Sequence, residues 1–544
     1  MGPALPGFSL GDALIPSPAG LDLYHFDTQG KHLRTLDATG RLSEITDGDG
    51  NTTRVERDSE GSPTGILSPD GQRTALSLDS NGYLASVINP AGETHTMAYA
   101  DEGLMTAFTD PKGNTNRFEY DDLGRLVKDT NAGGGGWTVT ATEHGSGYTT
   151  AMTTSEERTS RFSVDYLSTG DRTQTNTYPD DTVLARLFKT NGEETTTAPD
   201  GTVITILEGP DPRFGILSPV PALVTTKLPS GLTATTTTER TATLTDPYDP
   251  LSLSRLSDTL TFNGKAYKRA YDAATKTWTG TSAAGRLSTT LIDPQGRPLM
   301  RHTAGLEPVR YRYDARGRLT EATAGQGDET RTTSMRYYED GPSNGYAQTI
   351  TDALGRAVEY VYDLAGRVTQ QTLPDGREIA YDYDANGNVT EIVPPGQPPH
   401  RFDYTPLDQE HEYTPPDLGD GDPATRYQYN RDKQLTRITR PDLQTVEMSY
   451  TSAGQLEVML LPSGDYRYAY NPTTGQLSAL AAPNGGSVSY SYDGFLPRST
   501  TWAGAIMGSL TRKFNSDFEV TELAVNGQPI AFGYDADWAV DQSG

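Results

Sequence analysis

The chain has 544 residues, a net charge of −27 and no cysteine, which excludes disulfides, thiolate metal sites and a cysteine nucleophile. The acidic balance argues against nucleic-acid partners, which need a basic footprint, and against anionic membrane surfaces. The usual apolar set reaches only about 39%, against roughly 45–50% in ordinary soluble domains, yet 30 Tyr and 13 Phe are too many for a disordered chain. A folded object with a large wetted area per residue is expected.

Residues 1–20, MGPALPGFSLGDALIPSPAG, lack the basic n-region and continuous apolar run of a secretory signal and read as a leader or flexible segment. No stretch is long and apolar enough for a membrane-spanning helix.

From 21 to 130 the chain repeats. Leu36, Arg57, Leu78, Tyr99 and Tyr120 are spaced by 21 residues, and Gly40, Gly61, Gly82, Gly103 and Gly124 keep the same step. A second set, Gly50, Gly71, Gly92 and Gly113, lies midway. Two turn signals per 21 residues leave two segments of strand length. Pro, Asp, Asn and Gly in those turns supply a preset φ, local side-chain hydrogen bonds and access to positive φ.

Residues 131–260 lose the Tyr-Asp phrase and become Thr-rich, as in LTATTTTERTATLT (232–245), but keep turns such as APDGTV (198–203). Thr favours strands, so this region is expected to be degenerate β-repeat. Residues 261–544 resume the pattern: Tyr362, Tyr383 and Tyr404 are 21 apart, and an insertion at 405–425 reads as a loop. Pairs such as Tyr360/Tyr362 and Tyr381/Tyr383 put two rings on one face of a strand, where stacked repeats are expected to form aromatic ladders. The arginines that follow the turn glycines are expected over those rings.

A lone hairpin is unstable in water, so neighbours must pair into one continuous sheet, and a long sheet must twist and coil. The expected fold is therefore all-β: a spiralling antiparallel ribbon of repeated hairpins forming a hollow shell, as an open or partial barrel.

The phrase recurs as Tyr120-Asp121-Asp122-Leu123-Gly124-Arg125, Tyr313-Asp314-Ala315-Arg316-Gly317-Arg318 and Tyr362-Asp363-Leu364-Ala365-Gly366-Arg367, with a blurred copy at Tyr383-Asp384-Ala385-Asn386-Gly387. These residues resemble the YD-repeat, or Rhs-repeat, family. The resemblance implies a hollow β-shell that encloses a toxic C-terminal domain in bacterial polymorphic toxins and toxin-complex components, or forms part of an adhesion receptor in teneurins. It also implies a secreted or cell-surface location. The family's toxin-bearing members carry a Pro/Asp-Pro-x-Gly signature where the shell ends. None is found near residue 544, so the expectation is a segment lacking the toxin region, its shell open or closed by assembly.

Candidate chemistry is sparse. No His pair has metal-ligand spacing. DGDGN (47–51) has partial EF-hand spacing but Thr52 where the loop needs Gly, and the repeat register already explains Gly50 as a turn. Asp121-Asp122 and Asp180-Asp181 are adjacent rather than across a cleft. No catalytic residue, cofactor or metal is therefore expected. The leading reading is a non-catalytic shell whose expected partners are an enclosed or adjacent protein cargo and other shell segments; adhesion or carbohydrate binding through inter-repeat loops is the alternative, and a hydrolase the third.

Overall fold

The computed structural model describes residues 13–16, 22–26, 32–37 and 42–543, apart from 418 and 420–422. Of the expected leader, 1–12 and 17–20 lie outside the described residues, as does Gly40, and Ala13–Pro16 form a strand paired with Asp22–Phe26. Among the described residues there are 48 strands and one 3₁₀ turn, Gly327–Glu329. Each strand pairs antiparallel with the one before it and the one after it. The meander runs unbroken, from Thr115–Tyr120 against Leu126–Thr130 to Gln528–Tyr534 against Val540–Ser543. Among the described residues no pairing closes it into a barrel.

The Tyr-Asp hairpins share one local geometry. At Tyr120 the register slips by one residue, so that Tyr120 opposes Leu126, and Gly124 adopts φ +75°. This is a four-residue turn with a glycine bulge, which bends the strand and increases its twist. Repeated at Tyr313, Tyr362 and Tyr383, it makes the ribbon curve continuously.

Residues 131–260 continue the same sheet with longer strands, up to Gly215–Lys227 and Thr233–Leu244. The insertion at 405–425 is shorter than the expected loop, because Glu410–Thr414 is a strand paired with His400–Tyr404.

There is no conventional core. Every substantial strand–strand contact is between chain neighbours, so no sheet packs on another. Leu36, Val164, Leu228, Ala234, Leu256, Ala424, Leu496 and Ala524 are the only buried hydrophobic residues among those described, and of these only Leu228 is fully enclosed. The accessible surface is 31164 Å². A compact chain of 58.8 kDa would expose about 19,000 Å². The excess is that of a single-layer wall wet on both faces. One face carries exposed cross-strand pairs such as Arg54–Glu44, Lys128–Glu119 and Lys513–Glu522, and the other carries half-buried Tyr and aliphatic side chains.

The repeat tyrosines do more than fill that second face. Tyr120, Tyr313, Tyr362 and Tyr383 each donate their hydroxyl to the carbonyl fifteen residues earlier, at Met105, Pro298, Ala347 and Val368, over 2.7–3.0 Å. Tyr404, Tyr450 and Tyr492 do the same. Ring pairs are local, as at Tyr346–Tyr362 (5.0 Å), rather than the long ladders expected from the spacing. The hydroxyl explains why Tyr rather than Phe recurs: it satisfies a carbonyl at the bulge, where the ladder is interrupted. Tyr383→Phe is expected to cost about 1 kcal/mol in urea unfolding. An unchanged midpoint would remove this role.

Candidate functional site: the seam between coils

The Tyr-Asp turn is a compact clamp. Asp121 Oδ1 accepts the backbone N–H of Leu123 (3.0 Å) and Arg125 (2.9 Å), and Arg125 Nε donates to Asp121 Oδ2 (2.8 Å). Asp314 with Arg318, and Asp363 with Arg367, repeat the pattern with 2.6 Å Nε–Oδ2 bonds. Asp384 accepts the N–H groups of Asn386 and Asn388. Gly317, Gly366 and Gly387 have φ of +81°, +84° and +93°. The guanidinium groups of Arg318 and Arg367 lie 4.5 and 5.0 Å from the ring centres of Tyr337 and Tyr383, the next repeat's tyrosines.

These turns meet other turns about 250–276 residues away. Asp49 pairs with Arg297 (2.8 Å), Asp70 with Arg316 (2.6 Å), and Glu93 with Arg367 (2.8 Å). Lys112 pairs with Asp384 (2.8 Å), Arg158 with Asp432 (2.8 Å), and Lys265 with Asp517 (2.7 Å). Arg286 bonds both Asp535 and Asp537. Neutral bonds fill the gaps: Gln72 to the Asn344 carbonyl, Gln455 to Asp180, the Ser230 N–H to Asp493, and Tyr267 to the Ala536 carbonyl. The line runs from residue 49 to 537. It is where one coil of the ribbon rests on the next.

The strand count sets the winding: most of these links join turns 23 strands apart, while Asp49–Arg297 and Asp70–Arg316 join turns 21 apart. The turn after the tenth strand (Met105–Thr109) meets the turn after the thirty-third (Glu378–Tyr383), and 33 less 10 is 23. The turn after the fourteenth (Gly147–Thr154) meets the one after the thirty-seventh (Thr425–Tyr429), again 23 apart. So does the turn after the twenty-second (Leu253–Phe262) with the one after the forty-fifth (Gly508–Phe514). A meander places successive turns on alternate edges. Only an odd offset brings opposite edges together, as stacked coils require. With strands about 4.8 Å apart, 23 of them wound as a circle span about 110 Å, or about 35 Å across. Packed sheets sit about 10 Å apart, so the wall encloses space rather than a second layer.

Burial concentrates along this line. Leu228, Thr182, Thr202 and Asp493, each 1–6% exposed, all lie on it. A Cβ on Gly494 would meet Thr202 Oγ1 at 2.4 Å and Leu228 Cδ2 at 2.9 Å. The clamp arginines differ accordingly. Arg318 and Arg367 are 17% and 21% exposed, whereas Arg125, on the first coil's other edge, is 53% exposed. DGDGN is likewise a turn: Asp47 Oδ1 accepts the N–H groups of Asp49 and Asn51, and Asp49 and Asn51 reach the second coil. Among the described residues no group of three or more His, Asp or Glu side chains could hold a metal. Among the described residues no helix is long and apolar enough to cross a membrane.

The charges of the clamps set a pH window. The N–H and guanidinium of Arg125 hold Asp121 below its usual range. Burial pushes Asp314 and Asp384 up, but hydrogen bonds from Arg318, and from Lys112 and Asn388, outweigh it and leave both low. Burial raises Tyr313, Tyr362 and Tyr383. A depressed carboxylate stabilises fully above its unfolded pKa and loses that contribution as pH falls through its lower folded value. A raised phenol loses its contribution as pH rises from its unfolded value through its folded one. Melting temperature is therefore expected to be flat between about pH 5 and 9, falling below about 4 and above about 10. A monotonic profile across that range would contradict it.

A continuous single-layer β-wall built from clamped Tyr-Asp turns defines a repeat shell. A family profile described as Teneurin YD-shell matches residues 11–528, and the chain belongs to that family. No curated protein sequence matches it. Similar solved structures include TcdB2-TccC3 without the hypervariable C-terminal region, at 12% identity, covering 97% of this chain and 37% of that one, with a TM-score of 0.42. TcdB2-TccC3-TEV is 15% identical, with 95% and 34% coverage and a TM-score of 0.43. The Tc holotoxin pore of Photorhabdus luminescens is 12% identical, with 94% and 32% coverage and a TM-score of 0.34. This chain spans about a third of the length of each.

Proposed function

We propose that this chain is wall material for a secreted or cell-surface container: a non-catalytic β-shell that encloses or presents a polypeptide cargo in a bacterial Rhs-type system. Three features support the reading. The chain belongs to a shell family, its ribbon is wound about 35 Å wide with no second layer inside, and the clamp Asp and Arg side chains of its repeated turns bond one another. The observation that carries it is the accessible surface of 31164 Å² on a ribbon whose strands contact only their chain neighbours, as a thin wall requires.

The test is protection. A 100-residue flexible, Lys-rich tail is appended after Gly544, and the wild-type wall is compared with one whose seam is broken at Asp432 (below). Tail cleavage by trypsin is expected to be at least tenfold slower on the intact wall. Equal rates would sink the container reading.

A further inference from the structure

The turn at 515–519 reverses the chemistry of the clamp. Asn515 stands where the clamp keeps Asp, and Glu519 stands where it keeps Arg. Asn515 Oδ1 accepts the N–H groups of Asp517 (2.9 Å) and Glu519 (3.0 Å), and Asn515 Nδ2 donates to Glu519 Oε2 (2.6 Å). The turn at 89–93 carries the same exchange, and there the second oxygen, Glu93 Oε1, accepts from Arg367 at 2.8 Å. Glu519 Oε1 is buried and makes no hydrogen bond among the described residues. A buried acceptor left open in an otherwise satisfied turn calls for a reason beyond turn geometry.

That oxygen lies 4.0 Å from Lys265 Nζ, which is itself 2.7 Å from Asp517 Oδ2. Lys265 begins the strand Lys265–Asp272 on the first coil, whereas both carboxylates belong to the second. The three side chains are 22%, 10% and 11% exposed for Lys265, Glu519 and Asp517. Asn263 Nδ2, also on the first coil, donates to Asp517 Oδ1. Aromatic rings close the site. Trp538 stacks on Tyr267 (5.4 Å), meets Phe262 edge-on (5.6 Å) and lies 5.6 Å from Lys265 Nζ. The other close Lys–Asp pair of the seam differs, because Asp384 is tied to its own turn by Asn386 and Asn388 while it holds Lys112. The printed partners of the Asp517 carboxylate all come from the facing coil.

An amine and a carboxyl group held in contact gain the very high effective concentration of an intramolecular reaction. Burial favours their neutral forms over the ion pair. At Lys265 burial pushes the ammonium pKa down, but the bond to Asp517 outweighs it and leaves the group raised. The free amine is therefore the minor form, and the step needs a proton carrier beside it.

We propose that Lys265 and Asp517 condense into an amide that staples the first coil to the second, with Glu519 carrying the proton. Lys265 first passes one ammonium proton to Asp517 Oδ2, giving an amine and a carboxylic acid. The nitrogen lone pair attacks Cγ, the C–N bond forms, and the carbonyl electrons move onto Oδ1, which Asn263 stabilises. Glu519 Oε1 takes a proton from the attacking nitrogen and returns it to Oδ2. The Cγ–Oδ2 bond breaks, the carbonyl re-forms and Oδ2 leaves as water. Glu519 ends as the carboxylate it began as, and no oxidant or co-reactant is consumed.

The test is the intact mass of the folded full chain, read after denaturation and followed by peptide mapping. Wild type is expected to be lighter than its sequence mass by one water, with a branched peptide joining Lys265 to Asp517. Lys265→Arg, which keeps the ion pair, and Glu519→Gln, which keeps the bond to Asn515, are expected at full sequence mass. Hydrogen exchange at 515–519 that matches wild type would show that the turn still forms in both. Lys112 and Asp384 should stay separate in the same digest. Full mass in wild type, a water lost to a succinimide at an Asp-Gly step instead of a branch, an undiminished branch in Glu519→Gln, or a branch at Lys112 would each overturn the proposal.

Discussion

Gly135→Val is expected to open the wall. Gly135 is buried at the seam, and a Cβ there would lie 2.1 Å from the carbonyl oxygen of Arg431 and 3.0 Å from its carbon. Both are backbone atoms of the facing turn and cannot rotate away. The turn at 131–136 must withdraw, carrying with it the neighbouring Thr154–Asp432 and Arg158–Asp432 contacts. A loss of at least about 3 kcal/mol follows, at the high end for overpacking because a backbone rather than a side chain must move. Hydrogen exchange should speed up at 153–158 and 430–434. Its neighbour provides the control. Gly134 has φ +77° but open space around it, so Gly134→Asn, which tolerates that φ, should change stability by less than about 1 kcal/mol. If both substitutions behaved alike, local strain rather than the seam would be the cause.

Reversing one charge on the seam is the second large effect. Arg158 and Asp432 are 2.8 Å apart and each about 10% exposed. Asp432 also accepts from Thr154 Oγ1 at 2.6 Å, and Arg158 reaches Gln434. Asp432→Lys would leave two cations facing one another with little water, at a cost of about 3–5 kcal/mol. Arg158→Asp alone should cost a similar amount. The two together restore opposite charges and should recover at least about 1.5 kcal/mol in a double-mutant cycle. Exposed pairs of the same span, such as Arg377–Asp375, should show no such coupling, because water screens them. A cost below about 0.5 kcal/mol for Asp432→Lys would mean that the coils do not touch here.

The ribbon was legible in the sequence because its causes are local. Turn chemistry at Asp363, Gly366 and Arg367 and the two-residue spacing of Tyr381 and Tyr383 are set within one hairpin, and the hairpins pair in chain order. The seam was not legible. Asp121–Arg125 and Asp363–Arg367 belong to one motif, yet Arg125 faces solvent and Arg367 reaches Glu93 on the other coil. Which of them meets a neighbour depends on the 23-strand winding, a sum of many small bends that no 21-residue window contains. The aromatic ladders were misread for a related reason. Spacing puts rings on one face, but the bulge decides that Tyr383 turns its hydroxyl to the Val368 carbonyl.

The direct measurement is an electron cryo-microscopy map of the particle at a resolution that separates strands. It should show a wall one strand thick, about 35 Å across from backbone to backbone, around an empty centre, with the turn of Asp110 beneath that of Asp384. Two sheets packed about 10 Å apart, or a ribbon whose coils lie apart without contact, would contradict the account.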